Sequence, residues 1–184
     1  MSTSFGPTAL VTPANAVTMA RVFITPVLLL WIAGTGASWP ALILWIVLAT
    51  TDGLDGYVAR RHGTTRSGAF LDPLADKFLV LGALFALAAI GRFGWLPVGL
   101  VAVREIAMSG YRSWVARRGV SIPARASAKA KTALQDVAIG LALVPTLDGR
   151  ADWLADGVLW AAVALTLISG AQYLIDGRRS SFAL

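Results

Sequence analysis

Apolar residues run along this chain in long blocks, and the breaks between the blocks divide it into helices. From Val22 to Thr51 there is no charged residue. At about 1.5 Å per residue this run is longer than one crossing of roughly 30 Å of hydrocarbon requires. Its middle, Gly34-Thr35-Gly36-Ala37-Ser38-Trp39-Pro40, gathers helix breakers. The pattern therefore predicts a helical hairpin, with helices near 14–34 and 39–60. A third apolar block covers about 70–90, and a fourth covers 94–116, interrupted by Arg104 and Glu105. A fifth covers about 130–147, and a sixth, uncharged throughout, runs from Gly157 to Ile175. Pro73, directly after Asp72, suits the first turn of a helix, which puts the start of the third near 69–72. Blocks of this length in lipid must be helices, because the backbone has to satisfy its own hydrogen bonds there. The expected fold is an all-α integral membrane protein, a six-transmembrane-helix bundle with both termini cytoplasmic. No repeat, low-complexity stretch or linker separates a second domain, so residues 1–184 are expected to form one membrane domain.

Composition supports the membrane reading. Of 184 residues, 57% are apolar and only 14% are charged, against roughly a quarter in ordinary soluble domains. So few charges exclude disorder and an ordinary cytosolic enzyme, and the absence of Cys excludes a disulfide scaffold and a zinc–cysteine module. The net charge of +6 points to an anionic leaflet rather than to nucleic acid. Six spans place the loops holding Arg60, Arg61 and Arg66, and Arg112, Arg117, Arg118, Arg125, Lys129 and Lys131, on one side with Arg178 and Arg179. The opposite loops hold only Arg92 and Arg150, so the basic side is expected to be cytoplasmic. Trp31, Trp39, Trp95 and Trp153 border the outer loops, as an interfacial aromatic belt would. No basic region precedes Arg21, and no cleaved signal peptide is expected.

Four of the ten acidic residues, Asp52, Asp55, Asp72 and Asp76, fall at the cytoplasmic ends of the second and third helices. The i,i+3 and i,i+4 spacings put each pair on one helix face. Carboxylates converging at a membrane edge need protons or cations, and oxygen donors without His or Cys favour a hard divalent ion, Mg²⁺ or Mn²⁺. The plainer alternative is four interfacial acids facing water or pairing with nearby arginines. Gly53, Gly56, Ala59 and Gly68 lie around the acids and allow close helix packing or close approach of a ligand. Arg60, one turn after Gly56, can hold a phosphate bidentately or anchor the cytoplasmic face.

Together these residues read Asp52-x2-Asp55-Gly56-x2-Ala59-Arg60-x7-Gly68-x3-Asp72-x3-Asp76. This spelling closely resembles the signature of the CDP-alcohol phosphotransferase family. The spacer after Arg60 is one residue shorter than is common there, a departure confined to the loop Arg61–Ser67. Pro13-Ala14-Asn15-Ala16-Val17-Thr18-Met19-Ala20-Arg21 is similar to the family's Pro-Asn-x-x-Thr-x-x-Arg start, with one extra residue after Pro. Asp72-Pro73-Leu74-Ala75-Asp76-Lys77 resembles the branch whose acceptor is glycerol 3-phosphate or phosphatidylglycerol. The stretches Arg104–Gly110 and Lys129–Gln135 are similar to the glycerol 3-phosphate users. The resemblance implies transfer of the phosphatidyl group of CDP-diacylglycerol to an alcohol, with release of CMP. It implies Asp52, Asp55, Asp72 and Asp76 as ligands of two Mg²⁺ or Mn²⁺ ions, with Asp76 the shared or second-metal ligand and also the catalytic base. Gly56, Ala59, Arg60 and Gly68 then hold the cytidine diphosphate. It further implies phospholipid biosynthesis in the bacterial cell membrane, an active site on the cytoplasmic side, and a homodimer.

Glycerol 3-phosphate would need a basic pocket, for which Arg104, Arg112, Lys129 and Lys131 are the candidates. A mid-helix Arg104 is costly in a span and so points to function. Its alternative role is an internal pair with Glu105, although sequence neighbours project about 100° apart on a helix. Two other readings stand beside this one. In the first, the same chemistry uses another acceptor, giving a cardiolipin synthase or a phosphatidylinositol-phosphate synthase. In the second, the acids serve a divalent-cation or proton transporter, which would ordinarily place them at broken helices near the midplane. His62, Asp148, Asp152 and Asp156 are assigned no role.

Overall fold

The structure, a computed structural model, describes residues 13–62, 66–117 and 126–181, and side chains within them over 16–51, 72–114 and 129–172. Six helices follow in order: α1 (Pro13–Thr35), α2 (Trp39–His62), α3 (Arg66–Ala89), α4 (Trp95–Arg117), α5 (Ala126–Leu143) and α6 (Asp152–Ser181). No strand occurs among the described residues. Three boundaries differ from expectation. Helix α3 begins at Arg66, so Pro73 lies inside it and one backbone bond is forgone there. Helix α5 lies earlier, stopping at Leu143, because Pro145 disfavours helical backbone at Val144. Helix α6 opens earlier than Gly157, at Asp152, whose Oδ1 accepts the Gly149 N–H at 3.0 Å and whose charge opposes the helix dipole.

Each of the three turns joining α1 to α2, α3 to α4 and α5 to α6 holds a glycine at positive φ, Gly36, Gly91 and Gly149. Gly91 takes φ +78° after α3, with the Arg92 N–H donating to the Leu87 carbonyl at 2.8 Å and the Gly91 N–H to that of Ala88 at 3.0 Å. These two bonds satisfy carbonyls that the helix end would otherwise leave open. Gly36 takes φ +67° after α1, and a Cβ there would lie 3.9 Å from Ile90 Cδ1, so the α1–α2 and α3–α4 turns adjoin. Arg92 in turn makes ion pairs with Asp152 at 3.0 Å and Asp148 at 3.8 Å, on the segment before and at the start of α6. The three connections 36–38, 90–94 and 144–151 thus gather at one end of the bundle.

Buried positions trace one stripe on each helix. On α1 they are Thr18, Arg21, Thr25, Leu28 and Ile32, alternating three and four residues apart as one helix face requires. On α5 they include Lys131, Gln135, Ala138 and Ala142, and on α6 Leu159, Val163, Thr166 and Ser169. Each stripe changes character along its length. Towards the gathered turns it is apolar, and a core of Leu28, Ile32, Leu84, Leu87, Val98 and Leu143 fills the bundle. Towards the other end it turns polar. All the buried polar residues among those described, Thr18, Arg21, Thr25, Lys131, Gln135, Thr166 and Ser169, belong to that second half.

Close approach secures α1 against α3. A Cβ on Gly82 would sit 2.8 Å from Leu29 Cδ1, so glycine at this position lets the two helices come close. Trp45, buried on α2, donates its indole N–H to the Asp136 carbonyl of α5 at 3.2 Å. Among the described residues each helix exposes apolar side chains, with Phe23, Ile43, Phe78, Val103, Val137 and Leu167 one from each. Among the described residues, Ala16–Thr35 and Asp152–Gln172 are long and apolar enough to cross a membrane, and Trp39–Thr51 is a shorter apolar helix.

Candidate active site

The polar half of the bundle is where the candidate residues fall. Helix α3 carries Asp72 and Asp76 one turn apart near its first turns, both partly buried. Asp72 is held from outside its own helix. The Thr18 hydroxyl of α1 donates to Asp72 Oδ1 at 2.6 Å, a length usual for an O–H donor on a charged acceptor. Thr18 itself is 1% exposed. The other two acids, Asp52 and Asp55, stand on the last turns of α2, and their side chains lie outside the described residues. The side chains of Ala59, Arg60 and His62 lie outside them too, as do the surroundings of the other CDP-binding candidates, Gly56 and Gly68. No group of three or more metal-ligating side chains occurs among the described residues, which hold two of the four expected donors. Those two are carboxylates, with no imidazole or thiolate beside them among the described residues, a donor chemistry that suits a hard divalent cation.

A second cluster joins α4, α5 and α6. Glu105 Oε1 accepts from Arg104 Nη1 at 2.9 Å and from Lys131 Nζ of α5. Arg104 Nη2 donates to Ser169 Oγ of α6 at 2.7 Å, and Ser169 donates to the Thr166 carbonyl at 3.1 Å. Gln135 Nε2 reaches Thr166 Oγ1 at 3.3 Å. Arg104 fits against α6 because position 170 is glycine, where a Cβ would stand 3.2 Å from Arg104 Nε. The internal pairing of Arg104 with Glu105 is therefore made. A long guanidinium side chain swings back far enough to overcome the angular separation of neighbouring positions. Two cations share one carboxylate, leaving the cluster net positive. Lys77 follows Asp76 on α3 and adds a further cation to the polar half of the bundle. Of the remaining acceptor candidates, Arg112 and Lys129 are exposed on the same half of the bundle.

Sequence reasoning gave Thr18 no role, although it lies in the matched start segment. The available signal was its register: a polar residue three and seven positions before the buried Arg21 and Thr25, on the stripe that continues to Leu28 and Ile32. Glu105 as the shared acceptor and Ser169 as the support of Arg104 were also missed, because both roles depend on packing of helices distant in sequence. Asp148 and Asp152, given no role, are the partners of Arg92 at the opposite end.

Comparison with known proteins bears on the same residues. The family model for CDP-alcohol phosphatidyltransferase matches residues 11–168, from the start of α1 into α6. A Mycobacterium tuberculosis protein named "Probable phosphatidylglycerophosphate synthase" is 40% identical over 172 residues, covering 90% of this chain and 81% of its own. Proteins named CDP-diacylglycerol–glycerol-3-phosphate 3-phosphatidyltransferase are similar as well. The Bacillus subtilis protein is 35% identical, covering 86% of this chain and 91% of its own, and the Shigella flexneri protein is 36% identical, covering 88% and 92%. With five of its six helices inside the matched region and the acid-bearing ends of α2 and α3 at its centre, the chain belongs to the CDP-alcohol phosphatidyltransferase family.

Proposed function

We propose that this protein is a CDP-diacylglycerol–glycerol-3-phosphate 3-phosphatidyltransferase, acting in phospholipid biosynthesis as a single membrane domain. The observation that carries this reading is the similarity, over about nine-tenths of the chain, to a protein named as a phosphatidylglycerophosphate synthase. The apolar side chains that each helix exposes among the described residues support six spans. Arg92 and Arg150 at the gathered turns, against the arginines and lysines of the other end, support a topology with both termini and the active site on the cytoplasmic side.

Asp52, Asp55, Asp72 and Asp76 are the residues that would hold divalent ions, Mg²⁺ or Mn²⁺, as the family generally requires. Bound there, the ions supply charge neutralisation to the diphosphate. Gly56, Ala59, Arg60 and Gly68 receive the cytidine diphosphate. Arg104, Arg112, Lys129 and Lys131 draw in the phosphate of glycerol 3-phosphate and orient its hydroxyl. Asp76 takes the hydroxyl proton as the oxygen forms its bond to the phosphatidyl phosphorus. The bond from that phosphorus to the bridging diphosphate oxygen breaks, and CMP leaves with that oxygen. The protein works as a homodimer in the bacterial cell membrane.

Purified protein in detergent is expected to release CMP from CDP-diacylglycerol only with glycerol 3-phosphate and Mg²⁺ or Mn²⁺ both present. Equal release with phosphatidylglycerol or inositol phosphate in place of glycerol 3-phosphate would overturn the acceptor assignment. Metal-ion flux into proteoliposomes without nucleotide, and no CMP release, would overturn the enzyme.

A further inference from the structure

The carboxylate of Asp72 is anchored by a residue 54 positions earlier in the chain, on a different helix. Thr18 is buried on the face of α1 that packs against α3, and its hydroxyl sits on one oxygen, Oδ1, of the pair. Among the described residues, Asp72 has no other hydrogen-bond or ion-pair partner. A carboxylate alone on a helix surface samples several rotamers and can offer either oxygen. With Oδ1 committed to a hydroxyl donor from a neighbouring helix, the rotamer is set and Oδ2 remains for a further bond. Ligating carboxylates are commonly held this way, and such outer contacts affect metal affinity strongly. The bond is also neutral on the donor side, so it orients Asp72 without cancelling the charge a cation needs. An arginine in the same place would orient the group and compete with the ion.

We infer that Thr18 is a positioning residue for the divalent-metal site, fixing Asp72 from α1 so that the carboxylate meets the ion in one orientation. This rests on the reading of Asp72 as a metal ligand proposed above. It gives α1 a task beyond packing, since the first helix then sets the geometry of a site whose ligands all come from α2 and α3.

The test is Mn²⁺ binding to the purified full-length protein without substrate, followed by electron paramagnetic resonance. Four proteins are compared: the unsubstituted chain, Thr18→Val, Thr18→Ser and Asp72→Asn. Val keeps the shape of Thr and removes the donor, whereas Ser keeps the donor. Thr18→Val is expected to weaken Mn²⁺ binding by about tenfold, with Thr18→Ser close to the unsubstituted protein. Under turnover, the Mn²⁺ activation constant should rise in the same proportion while the KM for CDP-diacylglycerol stays unchanged. A purely packing role would lower thermal stability in both Thr18 variants without moving the Mn²⁺ constant. If Asp72→Asn loses Mn²⁺ while Thr18→Val binds within about twofold of the unsubstituted protein, the role of Thr18 is overturned and the metal reading stands. If Asp72→Asn binds Mn²⁺ undiminished, the metal reading itself is overturned. Thr18→Ala serves the same comparison if the Val variant does not fold.

Discussion

Asp76 and Lys131 are the side chains on which the proposed chemistry turns, and each makes a different demand on a variant. Asp76→Asn keeps shape and removes the proton acceptor. Its kcat is expected to fall by about 10²- to 10⁴-fold with the fold intact, checked by CMP release and thermal unfolding in parallel. Lys131→Met removes a buried cation held by Glu105. The KM for glycerol 3-phosphate is expected to rise about tenfold, the scale of one lost charged hydrogen bond, with the KM for CDP-diacylglycerol little changed. Lys129, exposed two positions earlier, should show a smaller effect when changed to Gln. At this scale the sequence was legible where spacing along one helix decided the outcome, as with Asp72 and Asp76. It was not legible where a partner arrives from another helix. Nothing local marks Thr18 as a donor to Asp72, or Ser169 as the seat of Arg104, until α1 meets α3 and α4 meets α6.

Elements were read more fully, because charge-free runs and breakers are strong signals in so apolar a chain. The misplaced boundaries have local causes. Pro73 suits a first turn, yet α3 continues through it, as α1 does through Pro26. The start of α6 depended on Asp152 as a helix-opening residue, and its value emerges only with Arg92 opposite. That contact makes a prediction about elements alone. Arg92→Ala should lower stability by about 1–2 kcal/mol, since the Arg92 side chain is nearly enclosed while both acids are half exposed, and should leave both KM values unchanged. Asp148→Asn should have almost no effect, its pair being longer and more open to solvent. Thermal unfolding in detergent with a matched activity assay checks both.

For the whole molecule, orientation is directly testable, because the chain contains no cysteine and any single one introduced is a unique label. In intact cells, Arg150→Cys should react with a membrane-impermeant maleimide, and Ser121→Cys should react only after the membrane is opened. The reverse pattern would invert the proposed topology. The division of the core into an apolar half and a polar half carries a further consequence, for how the bundle comes apart. Apolar packing resists opening uniformly, whereas a buried polar layer can exchange its internal bonds for water one at a time. Amide hydrogens of α1 around Leu28–Ile32 and of α3 around Leu84–Leu87 should therefore exchange with the slowest global opening. Those around Thr18 and Lys131 should exchange earlier, through partial openings that leave the other end closed. A bundle built this way can loosen around an incoming lipid head and a leaving nucleotide while its far end keeps the six helices in register.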